Sequence, residues 1–222
     1  MKRVLITGAG RGLGLALANV FARNGFELYL HYNRTKPILE SNKRYFPICG
    51  GLDCPSVIQK IIDIIQIKKI DIVIFNAGVY QNEELQNTTL GELSHILQIN
   101  TLSVMEITQK VIGYFQQKNN GIIVNINSLS ALQGGKNEAI YAASKSALKG
   151  FFQALQFEVS GKVRIIDVFL GSMQTDMARG KPDFDKFITP EAAARVIAYN
   201  VLSLIHFDTM RIPELKIQRN NY

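Results

Sequence analysis

Cysteine and histidine are scarce in this 222-residue chain, with two of the first and three of the second. Cys49 and Cys54 lie in the stretch ICGGLDCP, which lacks the paired Cys/His clusters of a structural zinc site, and His31, His95 and His206 are scattered without ligand spacing. No metal is expected. Both cysteines are expected to be buried or structural thiols in a reducing compartment. Long apolar runs are missing too. IIDIIQIKKIDIVIF is broken by Asp63, Lys68, Lys69 and Asp71, short of the roughly 18 to 20 apolar residues of a membrane span. The N-terminus MKRVLITGAGRG starts basic like a secretory signal, but only Val4 to Ile6 are apolar before glycines intervene. These absences point to a soluble, cytoplasmic protein with no membrane partner. No repeat, low-complexity tract or Pro/Gly/Ser linker divides the chain, so residues 1–222 read as one domain.

Acidic residues are scarce in one region. Residues 1–70 hold eleven Lys/Arg against four acids, and this surplus accounts for the whole net charge of +7. It comes without aromatic interleaving and without a zinc-finger or basic-zipper pattern, so nucleic acid is not the expected partner. A local anionic ligand explains the surplus more economically.

What is present alternates. KRVLIT, ELYLHY, a segment near YFPI, DIVIFN, GIIVNIN, VRIIDVF and a last segment near RIPELKI read as strands. Between them fall helical patterns at Leu15 to Arg23, Pro55 to Ile67, Leu90 to Gln117, from Tyr141 onward, and Pro190 to Leu204 with Thr189 as N-cap. Residues 33–44, 129–138 and 172–188 read as loops, the last of them as a substrate lid. Near-continuous apolar strands separated by helices indicate an α/β protein with a parallel sheet covered on both faces.

The chemistry begins at TGAGRGLG, where Gly8, Gly12 and Gly14 follow T-G-x-x-x-G-x-G directly after the first strand. Glycines allow a tight turn and close backbone approach, and the helix that follows aims free amides and its positive end at a pyrophosphate. About 20 residues further on, an NAD site offers Asp or Glu to the ribose hydroxyls. This chain has HYNRT there. Arg34 and Arg11 suit a 2′-phosphate, although either alone is equally a solvated loop residue. Tyr141 and Lys145, four residues apart, share one helix face, where the ammonium would favour phenolate and lower the pKa of the phenol. By itself Y-x-x-x-K is common. Asn100 alone is equally a buried helix residue, and Ser128 a strand-end cap.

In order and spacing these motifs, with NAG at Asn76 to Gly78, Asn100 in the long helix and Ser128 thirteen residues before Tyr141, resemble the classical short-chain dehydrogenase/reductase family over essentially the whole chain. Its short members like the 3-oxoacyl-carrier-protein reductases are the nearest in kind. The resemblance implies a single-domain, doubly wound Rossmann fold with a parallel sheet of about seven strands. It implies an NADP(H)-dependent oxidoreductase, with NAD(H) the alternative, acting on a small-molecule or carrier-bound carbonyl. Catalysis falls to Asn100 (proton relay), Ser128 (carbonyl contact), Tyr141 (proton donor or acceptor) and Lys145, which also holds the nicotinamide ribose. Cofactor contacts fall to Gly8, Gly10, Arg11, Gly12, Leu13 and Gly14 of the loop and to Asn33 and Arg34. Asp53 contacts adenine with Cys54 adjacent, and Asn76, Ala77 and Gly78 the adenosine side. Gly171, Met173 and Thr175 meet the carboxamide.

The chain departs from the family pattern at Leu170, where proline is usual, and at Phe75, where many members have Asn. Its short C-terminus weakens the expectation of the family's tetramer. A homodimer through the helices around Asn100 and Phe151 is expected. The competing reading is a dinucleotide-sensing regulatory protein of the same fold with little or no turnover.

Overall fold

A computed structural model describes residues 1–40, 44–159, 163–206 and 210–219. Seven strands form one parallel sheet: β1 Arg3–Ile6, β2 Glu27–Tyr32, β3 Phe46–Cys49, β4 Ile72–Phe75, β5 Gly121–Ser128, β6 Val163–Leu170 and β7 Glu214–Ile217. Their order is β3-β2-β1-β4-β5-β6-β7. The direction of travel reverses between β1 and β4, the switch point at which α/β sheets open a crevice beyond their carboxyl ends. This is the doubly wound Rossmann architecture expected from the sequence.

Strand alternation decides which helix covers which face. Val4 and Ile6 of β1 pack with α1 (Gly12–Arg23) and α6 (Pro190–His206), while Leu5 and Tyr29 face α2 (Pro55–Ile67), α4 (Ser103–Lys118) and α5 (Ala139–Glu158). Helix α1 starts at Gly12, three residues before the expected Leu15, because the glycine loop itself leads into the first turn. Thr189 caps α6 as expected, its Oγ1 accepting from the Ala192 N–H at 3.2 Å.

The region expected as one helix from Leu90 to Gln117 is three pieces: α3 (Leu90–Leu97), a π-helical turn over Gln98–Leu102, and α4. A capping box between Thr89 and Glu92 starts α3. The π turn contains Asn100. Such turns insert a residue into a helix and recur at functional sites. The cysteine expectation fails, because Cys49 and Cys54 are both free and exposed. Cys49 sits on β3, the outermost strand, and Cys54 precedes α2, so neither reaches the core. Among the described residues no helix is long and apolar enough to cross a membrane, and no His/Cys/Asp/Glu group could hold a metal ion.

Candidate active site

The loop after β1 is held from two sides. Gly8 (φ +68°) and Gly12 (φ +54°) adopt left-handed backbone, and a Cβ at Gly10 or Gly14 would overlap the carbonyl of Thr35 or Gly8. From the β4 side, Thr7 Oγ1 accepts from the backbone N–H groups of Asn76 and Ala77, both at 3.0 Å. The Asn76 amide donates to Thr7 O and Gly8 O at 3.0 and 3.1 Å. From the β2 side, the Gly8 N–H donates to His31 Nδ1 at 3.2 Å while Nε2 lies 2.9 Å from Gly50 O. These partners define a neutral Nε2–H imidazole, and burial lowers the His31 pKa. Sequence reasoning missed this role, since only the β1–β2 register brings His31 beside Gly8.

The loop's surroundings fit a dinucleotide. Helix α1 has no side-chain N-cap and no acid in its first turn, so its amides and positive end remain available to an anion. Asn33, Arg34 and Thr35, at the end of β2, line the same cleft without a carboxylate among them. Asp53 also lines it, with Oδ2 3.6 Å from His95 Nδ1. Of the two arginines expected at a 2′-phosphate, Arg11 is 2.7 Å from Asp176 of the lid, whose other oxygen accepts from Arg179 at 2.8 Å. Arg34 is the one that stands at the β2 end.

Helix α5 carries Tyr141 and Lys145 on one face, opposite Ser128, the last residue of β5. The Ser128 side chain stands near enough to the Tyr141 hydroxyl to favour its phenolate. Ser128 Oγ in turn accepts from the Ser130 N–H at 3.1 Å. Lys145 is buried, its Nζ donating to Ile126 O at 2.9 Å and lying 6.0 Å from the centre of the Tyr141 ring. The expected lowering of the tyrosine pKa is reversed. Burial pushes Tyr141 up to about 12, Ser128 working against it and Glu138 and Tyr80 adding to it. Burial also takes Lys145 down to about 8, opposed by Asp167. Desolvation of the phenol is the largest cause, and the charges that act on it are those of Glu138 and Tyr80 rather than Lys145.

In the π turn, the Asn100 amide nitrogen donates to Val79 O and Ser144 Oγ at 2.9 and 3.1 Å, and its oxygen accepts from the Val79 N–H at 2.8 Å. It therefore ties the loop after β4 to α5. The absent side chain of Gly78 keeps the space beside this amide and Lys145 Nζ open.

One cleft of about 890 Å³ joins the glycine loop to Tyr141. Every residue expected from the sequence at cofactor or reaction centre lines it except Gly14, Cys54 and Asn100. Gly14 packs behind the loop on Gly8 O and the Asn76 amide. Cys54 points to Ser56 Oγ at 3.2 Å. Leu170 ends β6 inside the sheet, paired with Ile217, so the turn that proline would stiffen is instead secured by the Gly171 N–H donating to Ile217 O at 2.9 Å.

Four further cleft residues went unread. Glu138 accepts from Tyr80 Oη at 2.7 Å through one carboxylate oxygen and from Ser130 Oγ at 2.9 Å through the other. Lys181, from the lid, donates to Tyr80 Oη at 2.9 Å and lies 3.6 Å from Glu138. The Tyr80 ring meets the Tyr141 ring edge-on, with centroids 5.0 Å apart. No short motif joins these positions. The one available signal was Glu138 itself, a carboxylate three residues before Tyr141.

Residues 2–186 match the sequence profile of the family described as short chain dehydrogenase. The chain belongs to that family. Members are NAD(P)-dependent oxidoreductases acting on CH–OH and C=O groups, and so is this protein. Among curated relatives, the 3-oxoacyl-(acyl-carrier-protein) reductase FabG of Escherichia coli (strain K12) is 29% identical over 191 residues, covering 82% of this chain and 78% of that protein. The FabG of Buchnera aphidicola subsp. Acyrthosiphon pisum is 33% identical over 168 residues, 72% of this chain and 68% of that protein. Among solved structures, an alcohol dehydrogenase from Thermococcus sibiricus complexed with 5-hydroxy-NADP superposes with a TM-score of 0.85 at 22% identity over 100% of both chains. A short-chain dehydrogenase from Sphingobium yanoikuyae in complex with NADPH gives 0.86 at 22% identity, covering 97% of this chain and 87% of that one. At that identity the two structures establish the shared fold.

Proposed function

We propose that the chain, as one domain over residues 1–222, is an NADP(H)-dependent carbonyl reductase in which Tyr141 gives its phenolic proton to the carbonyl oxygen. One observation carries this reading. Tyr141, with Ser128 beside it and Lys145 buried behind it, lines the same cleft as the glycine loop and Arg34. Bound nicotinamide supplies the hydride that reaches the carbonyl carbon. Ser128 orients the carbonyl oxygen toward the phenol. Because burial keeps Tyr141 protonated at neutral pH, it is ready to act as an acid. Lys145 stabilises the phenolate left behind, and Asn100 holds the relay that returns a proton. Arg34, whose neighbours at the β2 end, Asn33 and Thr35, carry no charge, favours a 2′-phosphate, and the NADP and NADPH complexes of the two structural relatives accord with that choice. NAD(H) is the weaker alternative.

The substrate is a carbonyl, small or carrier-bound, the latter prompted by the names of the curated relatives. Two free, exposed thiols accord with a reducing, cytoplasmic setting. Fluorescence titration with NADPH, followed by NADPH oxidation with a broad carbonyl panel, tests the reading. Saturable binding with turnover that Tyr141→Phe abolishes is the expected result. Binding with turnover by neither protein would instead favour the regulatory reading.

A further inference from the structure

Four side chains that sequence reasoning did not assign to the site form a polar wall beside the reaction centre. They come from three segments: Tyr80 from the loop after β4, Ser130 and Glu138 from the β5–α5 connection, and Lys181 from the lid. All line the cleft that Tyr141 faces. Glu138 is largely buried, with 13% of its side chain exposed. Its pKa is nonetheless lowered, because the hydrogen bonds from Tyr80 and Ser130 and the Lys181 charge outweigh burial. The wall therefore presents a carboxylate beside an ammonium.

The wall has bonding capacity left over. Each carboxylate oxygen has several acceptor sites, and an ammonium has three donors. Glu138 takes one side-chain hydrogen bond per oxygen, with the Gly135 backbone also favouring its charge, and Lys181 gives one hydrogen bond, to Tyr80, and one longer contact, to Glu138. Ser130 Oγ donates to Glu138 and accepts from no described residue. Acceptors and donors thus remain side by side. A hydroxyl group, which both donates and accepts, matches that pair. A methylene chain matches neither and would strip water from both charges at a cost of a few kcal/mol.

We propose that Tyr80, Ser130, Glu138 and Lys181 form a hydroxyl-binding subsite, so that the substrate is a small hydroxylated carbonyl compound, of aldose or ketose type, rather than an acyl chain. The inference rests on the oxidoreductase reading, in which the carbonyl carbon gains hydride, its oxygen gains the Tyr141 proton, and the dinucleotide is oxidised by two electrons. Hydroxyls on neighbouring carbons then meet Glu138 and Lys181. Glu138 also precedes the first turn of α5, its carbonyl accepting from the Ala142 N–H at 2.7 Å. The group that reads the hydroxyl is thereby fixed to the helix that carries the acid.

The test compares NADPH oxidation by wild type, Glu138→Gln and Lys181→Met. Glyceraldehyde and dihydroxyacetone serve as hydroxylated substrates, propanal and acetone as their deoxy counterparts, and acetoacetyl-N-acetylcysteamine as a stand-in for a carrier-bound thioester. Sites built to bond a substrate hydroxyl reject the analogue lacking it by up to about 10⁴-fold or more. In this partly open wall, wild type should prefer the hydroxylated compounds by about 100-fold in kcat/KM. Glu138→Gln should reduce that preference at least about tenfold, mainly through KM for the hydroxylated compounds. Equal or better use of propanal or the thioester overturns the proposal, as does a Glu138→Gln variant that slows both classes alike. Saturation-transfer NMR with glycerol and NADP⁺ supplies a readout independent of turnover. Glutamate-dependent glycerol binding without turnover keeps the subsite and sinks the carbonyl-reductase reading. Turnover indifferent to hydroxyls does the opposite, and the absence of both removes both.

Discussion

Asp167 in β6 and Lys145 in α5 share one amide: Asn127 Nδ2 donates to the Asp167 carboxylate at 3.1 Å and to the Lys145 backbone carbonyl at 3.3 Å. Asn125 donates to the other Asp167 oxygen at 2.7 Å. A buried carboxylate thus stands behind the active-site lysine and opposes the loss of its charge. Burial pushes Asp167 itself up to about 6, against the two amides and Lys145, with Glu214 adding to the rise. The folded protein therefore binds more protons at this site than the unfolded chain between about pH 4 and 6. The site's contribution is most favourable below the unfolded pKa and is lost as pH rises to the folded one. The change amounts to roughly 3 kcal/mol at most. In urea unfolding of wild type and Asp167→Asn at pH 4.5 and 6.5, the stability difference should move toward the variant at the higher pH. A difference independent of pH would contradict a raised aspartate.

Tyr141→Phe should lower kcat for carbonyl reduction by about 10²- to 10⁴-fold and leave the NADPH dissociation constant within about twofold. In the wild type, with Tyr141 near 12 and Lys145 near 8, the reductive rate should be level below pH 8. It should fall above that value as Lys145 loses its charge. Stopped-flow rates between pH 6 and 10 check this, and a rate still level at pH 10 would remove Lys145 from the mechanism.

Arg34→Ala should weaken NADPH by about 10- to 100-fold, the worth of one charge-assisted hydrogen bond. NADH should be left within about twofold. Fluorescence titration of both nucleotides measures the split, and equal losses would mean that Arg34 does not read the 2′-phosphate.

His31 should be neutral at pH 7. Its folded pKa lies below the ordinary value, so its contribution to stability is full above about pH 6.5 and is lost as pH falls toward the folded pKa. NMR of the imidazole nitrogens should show an Nε2–H tautomer at pH 7 and a midpoint below the ordinary histidine value. Titration at or above 6.5 would mean that the ring does not pin Gly8.

Leu102 and Phe157 are 51% and 92% exposed. If α4 and α5 build the dimer proposed from the resemblance, light scattering should report twice the chain mass of 24.8 kDa. A Leu102→Glu/Phe157→Glu double variant should then be monomeric. A monomeric wild type would refute that interface.

The parts of this protein legible in its sequence are those written in short spacings. Strand alternation gives the sheet, T-G-x-x-x-G-x-G the loop, and Y-x-x-x-K the helix face. What was hidden depends on parallel crossovers, which bring distant segments together at the carboxyl ends of the strands. Lys181 and Tyr80 are 101 residues apart when they bond. His31 meets Gly8 only through strand register, and the π turn at Asn100 has no compositional mark. The cysteines were misread because the average preference of free thiols for burial carries no knowledge of an edge strand.

The π turn also separates the site from the core. A wide turn takes up its extra residue locally, so α4 leaves it with Ile107, Val111 and Phe115, all 0% exposed, turned to the sheet. Deleting one residue between Gln98 and Leu102 would return the turn to ordinary helix and spare that packing, while moving the backbone around Asn100, whose amide bonds Val79 and Ser144. A lineage can therefore rework the chemistry here without dismantling the fold.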